Sequence, residues 1–339
     1  MSRPASTRGA ATLQAGPVEL PDGPPPRREV VSTAADVVAQ IRDGDAVAIG
    51  GFVTANHPMP LVRELIRQGK KDLTVIGSAT GGLEIDLLLG AGVVKKLIAP
   101  YCGAELYAPL GSCFRSMVEK EQVELWESSE YILYAGLQAK AMGQEFFAWR
   151  GGVGSSIVDL NQDLVVFTSP LGDGKEYVAV PAISPDWAFL HLGWADKYGN
   201  GQHPGARFGD RIMARAADRV AITVERLVPN ARIRANPVMT SVPYADAVVV
   251  APFGSHPYAS HGFYAEDAEH IEAYVAATAG FRRGDRGGLD AYLEKYVFAP
   301  ASHDDYLDLV GGRTLRALEA EYEHLTLGRH AFDVFGADA

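Results

Sequence analysis

Short apolar runs alternate with longer amphipathic stretches along the first half of the chain. The runs predict β-strands, because each is only a few residues long and is bounded by glycine or polar residues. They lie at 46–50, 73–77, 94–99 and 123–126. The stretches between them predict helices, at 58–67, 83–89, 113–121 and 131–142. This alternation predicts an α/β fold with a mostly parallel, open sheet and helices on both faces.

Later apolar runs continue the same pattern, and the end of the chain becomes helical. The runs occur at 164–167, 177–180, 187–192, 220–224 and 247–251. Candidate helices follow at 265–277, 289–295 and 313–322. We therefore expect one α/β domain over residues 31–290 and a helical C-terminal extension over residues 291–339. Residues 1–30 are rich in Pro, Gly and Ala and lack hydrophobic periodicity, which predicts a disordered tail.

The charge of the chain excludes some classes of partner. Its 339 residues include 31 basic and 42 acidic side chains, a net charge of −11. Such a balance argues against nucleic acid or an anionic membrane as the main partner. No apolar run approaches the roughly 20 residues that span a bilayer. The only cysteines, Cys102 and Cys113, fit a reduced, cytoplasmic protein.

A glycine pair follows the first predicted strand and is the strongest sign of a ligand site. The strand leads directly into Gly50, Gly51 and Phe52, and a helix is predicted from Pro58. A bare glycine turn lets polar ligand atoms approach the main chain closely. Ligands of parallel sheets bind at the carboxyl ends of strands. We therefore expect the backbone amides here to hold an anion or a carbonyl group.

Two glutamates are candidate acids at other strand ends. Glu130 lies where a strand gives way to a helix, and a partly buried carboxylate there would serve as a general base. The alternative is an ordinary first-turn glutamate, favoured by the helix dipole by ~0.3–1 kcal/mol. Glu105 also follows a strand and is a weaker candidate.

A second glycine run offers an anion site. Gly154 and Ser155 belong to it, and Arg150 directly precedes it, so the run either binds a phosphate or carboxylate or forms a plain turn. We expect no metal, because no carboxylate or cysteine completes a set with His256 and His261. Dinucleotide, P-loop and serine-hydrolase motifs are missing from the sequence.

Together these motifs resemble the α (A) subunit of family I CoA-transferases, most closely the glutaconate CoA-transferase type. The family signature is matched, in order, by Asp43-Gly44, the apolar residues 47–49, Gly50-Gly51-Phe52 and Pro58. Asn56 stands where the common pattern has glycine, which affects the subgroup more than the family. Weaker matches follow in order at 137–139, 142–143, 152–156, 195–196, 199–200, 223–225, 245–249, 251–254, 256–257, 296–298 and 303–306.

The resemblance implies a ping-pong transfer of coenzyme A through a glutamyl-CoA thioester. The attacking glutamate of this family belongs to the β (B) subunit, where glycine typically follows it within two residues. Every glutamate of the present chain lacks such a glycine. The resemblance therefore implies a β partner that supplies the nucleophile, in an α2β2 or larger heteromer. It further implies coenzyme A as a substrate thioester, without a permanently bound cofactor, and Gly50, Gly51 and Phe52 as lining of the site.

The same scaffold also resembles the A subunit of steroid ring-cleaving CoA-thioester hydrolases. Those enzymes lack the transferase nucleophile and use an A-subunit glutamate that Glu130 matches by position, ahead of Gly136 and residues 137–139. This resemblance implies hydrolysis of a C–C bond in a cyclic diketone CoA thioester. A non-catalytic paralogue that only binds CoA thioesters is the third, weakest alternative.

Overall fold

A nine-stranded sheet forms the centre of the computed structural model, which describes residues 27–325. A separate three-stranded sheet accompanies it. The strands are β1 Ala46–Ile49, β2 Leu73–Ile76, β3 Val94–Ile98, β4 Glu124–Leu125, β5 Phe146–Trp149, β6 Val165–Thr168, β7 Glu176–Pro181, β8 Trp187–Ala195, β9 Gly201–Gln202, β10 Arg219–Leu227, β11 Thr240–Val242 and β12 Ala247–Val250.

Most of the large sheet is parallel. Its parallel strands follow the order β12-β10-β8-β1-β2-β3-β4. In the β1 register, Val47 lies opposite Val75 on one side and Trp187 on the other. The short strand β9 pairs antiparallel with the end of β8, and β11 pairs antiparallel with β9. The predicted mostly parallel sheet is confirmed, and the carboxyl ends of its strands meet at one edge.

Helices cover both faces of this sheet. They are α1 Ala34–Val38, α2 Met59–Arg67, α3 Leu83–Gly90, α4 Ser112–Glu119, α5 Glu130–Ala141, α6 Ile157–Leu160, α7 Asp210–Ala216, α8 Asn230–Ala235, α9 Ala268–Thr278, α10 Gly287–Leu293, α11 His303–Val310 and α12 Gly312–Leu325. Short 3₁₀ turns occupy Pro237–Met239 and Phe281–Arg283, and a π-helical turn occupies Glu294–Phe298.

Alternation along the strands divides the core into two layers. Val47 and Ile49 of β1 belong to an apolar cluster with α1, α2, α3, α9 and α10. Ala48 between them belongs to a second cluster, with α5, α7 and the small sheet. Successive side chains of a strand point to opposite faces, so a central strand with both faces covered is buried on both sides and mostly apolar. Every residue of β8, which lies between β1 and β10, is buried accordingly.

The small sheet corrects the predicted course of the chain. The apolar runs at 164–167 and 177–180 were expected to continue the parallel sheet. They instead form β6 and β7, which pair antiparallel with each other, and β5 pairs antiparallel with β7. Strand β5 itself was not predicted. Strands β6 and β7 lie close together in sequence, so a short connection suffices for their antiparallel pairing.

The ends of the chain bear on the predicted domain boundaries. Residues 1–26 and 326–339, most of the predicted tail and the end of the predicted extension, lie outside the described residues. Val30, within the predicted tail, donates its amide to the Lys197 carbonyl (2.9 Å) and accepts from the Val248 amide (2.8 Å). Helix α10 spans the boundary predicted at residue 290. None of the helices in residues 27–325 has the length and apolar composition to cross a membrane.

Candidate active site

The glycine loop follows β1 at the carboxyl edge of the sheet, and its amides point into the protein. The Gly50 amide donates to the Phe189 carbonyl (2.9 Å), and the Phe52 amide donates to the Ala55 carbonyl (2.9 Å). The Gly51 amide donates to Oδ1 of Asp210 (3.0 Å). The expectation that these amides hold a ligand's oxyanion is therefore not supported. The loop can therefore contact a ligand through its surface, but not through these amides.

Steric limits explain both glycines. A Cβ on Gly50 would lie 2.4 Å from Asp210 Oδ1 and 2.6 Å from Leu190 Cδ2. A Cβ on Gly51 would lie 2.5 Å from the Nδ1 atom of His57. Gly51 also has φ +99°, a conformation that side chains rarely adopt. The glycines let the loop pack directly onto buried polar groups.

Aromatic stacking fixes the far side of the loop. The Phe52 ring stacks on Phe208, with 4.8 Å between centroids and 9° between planes. Phe208 in turn contacts the His261 ring at 5.5 Å. Asn56, at φ +60°, accepts a hydrogen bond on its Oδ1 from the His261 amide (3.0 Å). Asparagine tolerates this left-handed conformation, which accounts for its presence where the common pattern has glycine.

A buried Asp–His–Ser chain supports the loop from below. Asp210, the first residue of α7, accepts the Gly51 amide on Oδ1, and its Oδ2 lies 3.0 Å from Nε2 of His203. The Nδ1 atom of His203 lies 2.6 Å from the Ser241 hydroxyl. All three side chains are buried. A carboxylate held by an amide and an imidazole is a rigid anchor for the loop.

Glu130 is the first residue of α5, and its side chain is exposed. The Ser129 hydroxyl caps this helix by accepting a hydrogen bond from the Ile132 amide (3.3 Å). The expectation of a partly buried acid is therefore wrong within this chain. A glutamate in the first turn is a common feature of helices, because its charge complements the positive end of the helix dipole.

Tyr134 connects Glu130 with the loop region. It lies one helical turn after Glu130, and a Cβ on Gly209 would be only 2.6 Å from its hydroxyl. Burial raises the pKa of Tyr134 to about 12, and the negative charges of Glu130 and Asp210 contribute to that rise. Glu130 and Asp210 therefore both lie near enough to Tyr134 for their charges to act on one phenol.

The second glycine run lies against the first turn of α5. Trp149 stacks on Tyr131 with 6.0 Å between centroids, and a Cβ on Gly152 would lie 3.4 Å from Ile132. The structure thus brings this run beside Glu130.

Within the run, Ser155 donates its hydroxyl to the Gly152 carbonyl (2.8 Å), and Gly154 is exposed at φ +75°. Arg150 is exposed and forms no ion pair with any residue of 27–325. Its guanidinium is therefore available to a ligand's carboxylate or phosphate.

Glu105 lies on a different loop, which follows β3. Its φ is +42°, its side chain is exposed, and its amide donates to the Tyr101 hydroxyl (3.2 Å). At the base of this loop Cys102 forms a β-bridge with Gly81, which lies in the turn after β2. The position at the carboxyl edge agrees with the prediction, but the contacts of Glu105 are structural ones.

A histidine cluster corrects the expectation about His256. Asp267 and His270, which were not recognised as its partners, bring their ligand atoms within 4.8 Å of it and of one another. His256 already contacts the Tyr306 hydroxyl (2.7 Å) through Nδ1 and Asp267 Oδ2 (3.1 Å) through Nε2. The buried Arg63 guanidinium lies beside this cluster, at 3.3 Å from the His256 carbonyl. A hydrogen-bonded cluster next to a buried cation is a poor setting for a second cation.

Comparison with known proteins identifies the family of this chain. Residues 31–251 match the family model described as Coenzyme A transferase. The chain belongs to the coenzyme A transferase family. The resemblance expected from sequence is confirmed, and family membership supports an enzyme that acts on CoA thioesters.

The relatives are parts of several enzymes. The A subunit of glutaconate CoA-transferase from Acidaminococcus fermentans is 30% identical over 303 residues, 84% of this chain and 93% of the relative. The crystal structure of that organism's glutaconate CoA-transferase matches with a TM-score of 0.80 and 29% identity, over 85% of this chain and 95% of the other. The IpdA subunit of the cholesterol ring-cleaving hydrolase of Mycobacterium tuberculosis is 32% identical over 273 residues, which cover 76% of this chain and 91% of the relative.

A further relative is longer than the present chain. An uncharacterized protein of Archaeoglobus fulgidus is 38% identical over 275 residues, which are 80% of this chain. The chain spans only 60% of that relative's length.

Sequence reasoning missed several residues that shape this site. Asp210, His203 and Phe208 come from a loop and helix more than 150 residues after the glycine pair. The local signal that could have indicated them is the cluster of glycines 201, 205 and 209 around the same segment. His57, directly before Pro58, was within the signature itself and was overlooked.

Replacing Gly50 by alanine tests the packing of the loop on Asp210. The added Cβ would meet Oδ1 at 2.4 Å, so we expect Gly50→Ala to lower the free energy of unfolding by about 1–3 kcal/mol. Urea denaturation measures this change. Gly287→Ala, whose Cβ finds its nearest atom at 3.3 Å, is the control and should stay within about 0.5 kcal/mol. Equal effects of the two substitutions would contradict the account.

Acid sensitivity tests the burial of His270. Burial lowers the pKa of His270 to about 3 from 6.5, so the unfolded chain binds one more proton between these pH values. This contribution to stability is complete above pH 6.5 and is lost as the pH falls toward 3, by up to about 1.4 kcal/mol per pH unit. In His270→Phe the free energy of unfolding should therefore fall less steeply between pH 6 and 4, by that amount per pH unit. This expectation concerns the slope and holds even if the substitution also changes stability equally at every pH. Unchanged slopes in denaturation at several pH values would refute the prediction.

Proposed function

We propose that this chain is the A subunit of a heteromeric CoA-transferase that moves CoA between an acyl-CoA and a carboxylic acid. The carrying observation is the match with the A subunit of glutaconate CoA-transferase over nearly the whole length of that relative. The glutamate pattern supports the same proposal, because no glutamate of this chain is followed within two residues by glycine. A transferase built from it needs its nucleophile from a B subunit.

In the proposed reaction CoA passes from one carboxylic acid to another by way of the enzyme's glutamate. The B-subunit glutamate attacks the acyl-CoA carbonyl and expels CoA thiolate, which leaves an acyl-glutamyl anhydride. The thiolate then attacks the glutamyl carbonyl, releases the first carboxylate and forms a glutamyl-CoA thioester. An incoming carboxylate reverses these two steps, so the product acyl-CoA leaves and the glutamate is restored.

This chain contributes binding surface to that reaction. The Gly50, Gly51 and Phe52 loop forms one wall of the thioester site, held in shape by Asp210 and Phe208. The exposed Arg150 offers charge to a carboxylate or phosphate, and Gly154 and Ser155 extend the same surface. Because the amides of the glycine loop are engaged, we expect the donors to the developing oxyanion to come from this second run or from the partner.

Trapping the thioester tests the transferase proposal. The complex of this chain with its B subunit is incubated with a panel of short-chain and dicarboxylic acyl-CoA thioesters and then treated with borohydride or hydroxylamine. We expect a modified glutamate in the B subunit, because the glutamyl-CoA thioester accumulates when no acceptor is present. Peptide mass spectrometry measures the modification.

The isolated chain is the control and should neither turn over a thioester nor become modified. Turnover by the isolated chain would contradict the split site. A complex that converts an acyl-CoA without any trapped thioester would contradict the transferase mechanism.

The second candidate is a ring-cleaving hydrolase, in which Glu130 would activate water for cleavage of a C–C bond. The relationship to the IpdA subunit and the position of Glu130 at the start of α5 favour it. Tyr134 and the Arg150 run stand beside this glutamate, so the surroundings suit a polar reaction. A base exposed in the isolated chain would need the partner subunit to cover it.

Replacing Glu130 by glutamine separates the two candidates. For a hydrolase we expect Glu130→Gln to lower kcat by about 10²–10⁴-fold, because the general base is lost. For a transferase the same substitution should change kcat less than about tenfold. Glu127→Gln, three residues earlier, is the matched control and should leave both activities unchanged. Steady-state kinetics of the complex provide the measurement, and retained hydrolysis would remove Glu130 from the mechanism.

A further inference from the structure

Two buried polar side chains behind the glycine loop have no assigned role. His57 precedes α2, and Glu84 lies in the first turn of α3. Both side chains have an exposure of 0%, and Nδ1 of His57 lies 3.3 Å from Oε1 of Glu84. A Cβ on Gly51 would lie 2.5 Å from Nδ1 of His57, and one on Gly82 would lie 2.4 Å from Oε2 of Glu84. The pair is thus packed directly between two glycine turns.

The hydrogen bonds of this pair leave two atoms unused. The Nε2 atom of His57 lies 3.2 Å from the Val53 carbonyl, and Oε1 of Glu84 accepts the Gly82 amide (3.0 Å). Within the described residues, His57 Nδ1 and Glu84 Oε2 have no hydrogen-bond partner. Buried polar atoms are rarely left without a partner, so each requires an explanation.

The surroundings favour two neutral groups over an ion pair. Burial lowers the pKa of His57 to about 3 and raises the pKa of Glu84 to about 8. The other titratable groups that face the pair are also buried: Asp86 on α3, Cys102 after β3, Tyr258, whose ring is 4.7 Å from that of His57, and His191 on β8. Asp86 adds to the rise for Glu84, and His191 adds to the fall for His57.

The carbonyl groups around the ring select one tautomer of His57. A proton on Nε2 is donated to the Val53 carbonyl and leaves a lone pair on Nδ1. A proton on Nδ1 would instead set the Nε2 lone pair against the Val53 oxygen. The first tautomer is therefore preferred, and its Nδ1 needs a donor. Oε1 of Glu84 lies 3.3 Å from this Nδ1, so a protonated Glu84 carboxyl can supply the missing donor after a small shift of the two side chains.

We propose that Glu84 keeps its proton at neutral pH and donates it to His57 Nδ1, and that this neutral pair positions the loop from Gly51 to Val53. The loop needs such support because Val53 adopts φ +51°, which is strained for a β-branched residue. Through Nε2, His57 binds the carbonyl of that strained residue. Glu84 and His57 are thus positioning residues for a wall of the site.

Amide hydrogen exchange of the full chain tests the positioning role. The amides of Gly51, Phe52 and Val53 are all hydrogen-bonded inside the protein, so their exchange reports opening of the loop. We expect Glu84→Leu to accelerate their exchange by about tenfold or more at pH 7. Glu84→Gln, whose amide group still donates to Nδ1, should stay within about twofold of wild type.

A matched control separates this effect from general loosening. Glu64 is another buried glutamate, but its carboxylate binds Arg67 and Gln68. Glu64→Gln should leave the exchange of the three loop amides unchanged. An unchanged loop in Glu84→Leu, or equal acceleration in Glu84→Gln and Glu84→Leu, would overturn the proposal.

The charge state has its own readout, which does not require the Glu84→Leu variant. The infrared difference between wild type and Glu84→Gln at pH 7 should contain the carbonyl band of a protonated carboxyl, replaced by carboxylate bands as the pH rises through about 8. Over the same pH range the loop amides should exchange faster in wild type relative to Glu84→Gln. The reason is that an ionised Glu84 no longer donates to His57 and instead places a negative charge against the Nδ1 lone pair. A carboxylate band already present at pH 7 would overturn the proposal.

One consequence of this proposal, an effect on turnover, rests on the proposed function. The loop is a wall of the site in both candidate reactions, so Glu84→Leu should impair turnover by changing the shape of the loop and Glu84→Gln should not. The exchange and infrared measurements involve no thioester. Their failure would therefore reject the role of Glu84 and leave the transferase proposal untouched, and the reverse also holds.

Discussion

The parallel arrangement of the large sheet determines where this protein can bind a ligand. Parallel strands end at the same edge, so the turns after β1, β2, β3 and β4 are gathered there, together with the start of α5. The fully buried strand β8 holds β1 and β10 in this register. Every candidate residue on those turns follows from that constraint, including the glycine pair and Glu130.

The glycine loop at this edge is a shaped wall more than a set of free donors. Its amides are bound by Phe189, Asp210 and Ala55, and its glycines allow buried groups to approach within contact distance. A wall of this kind can define the position of a ligand but offers it no free backbone donor. The open surface around Glu130 and Arg150 is consistent with a site that a second subunit completes.

Local patterns were predictable from the sequence, and contacts between distant segments were not. The parallel sheet and the position of Gly50 and Gly51 follow from apolar runs and glycine spacing, which are local signals. The bond from Gly51 to Asp210 joins residues 159 positions apart, so no local pattern could indicate it. The antiparallel strands β6 and β7 were misassigned because an apolar run does not reveal the direction of its partner. Burial of Glu130 was wrongly expected, since exposure depends on tertiary packing that a local pattern does not reveal.

The central claim is that this chain forms one half of a CoA-thioester site and that a partner subunit supplies the rest. A crystal structure of the complex that contains its B subunit together with an acyl-CoA would test it most directly. The account predicts that the thioester carbonyl lies between the Gly50, Gly51 and Phe52 loop and Glu130, with a carboxylate of the partner within contact distance. A thioester bound away from this edge, or a site closed by residues of this chain alone, would contradict it.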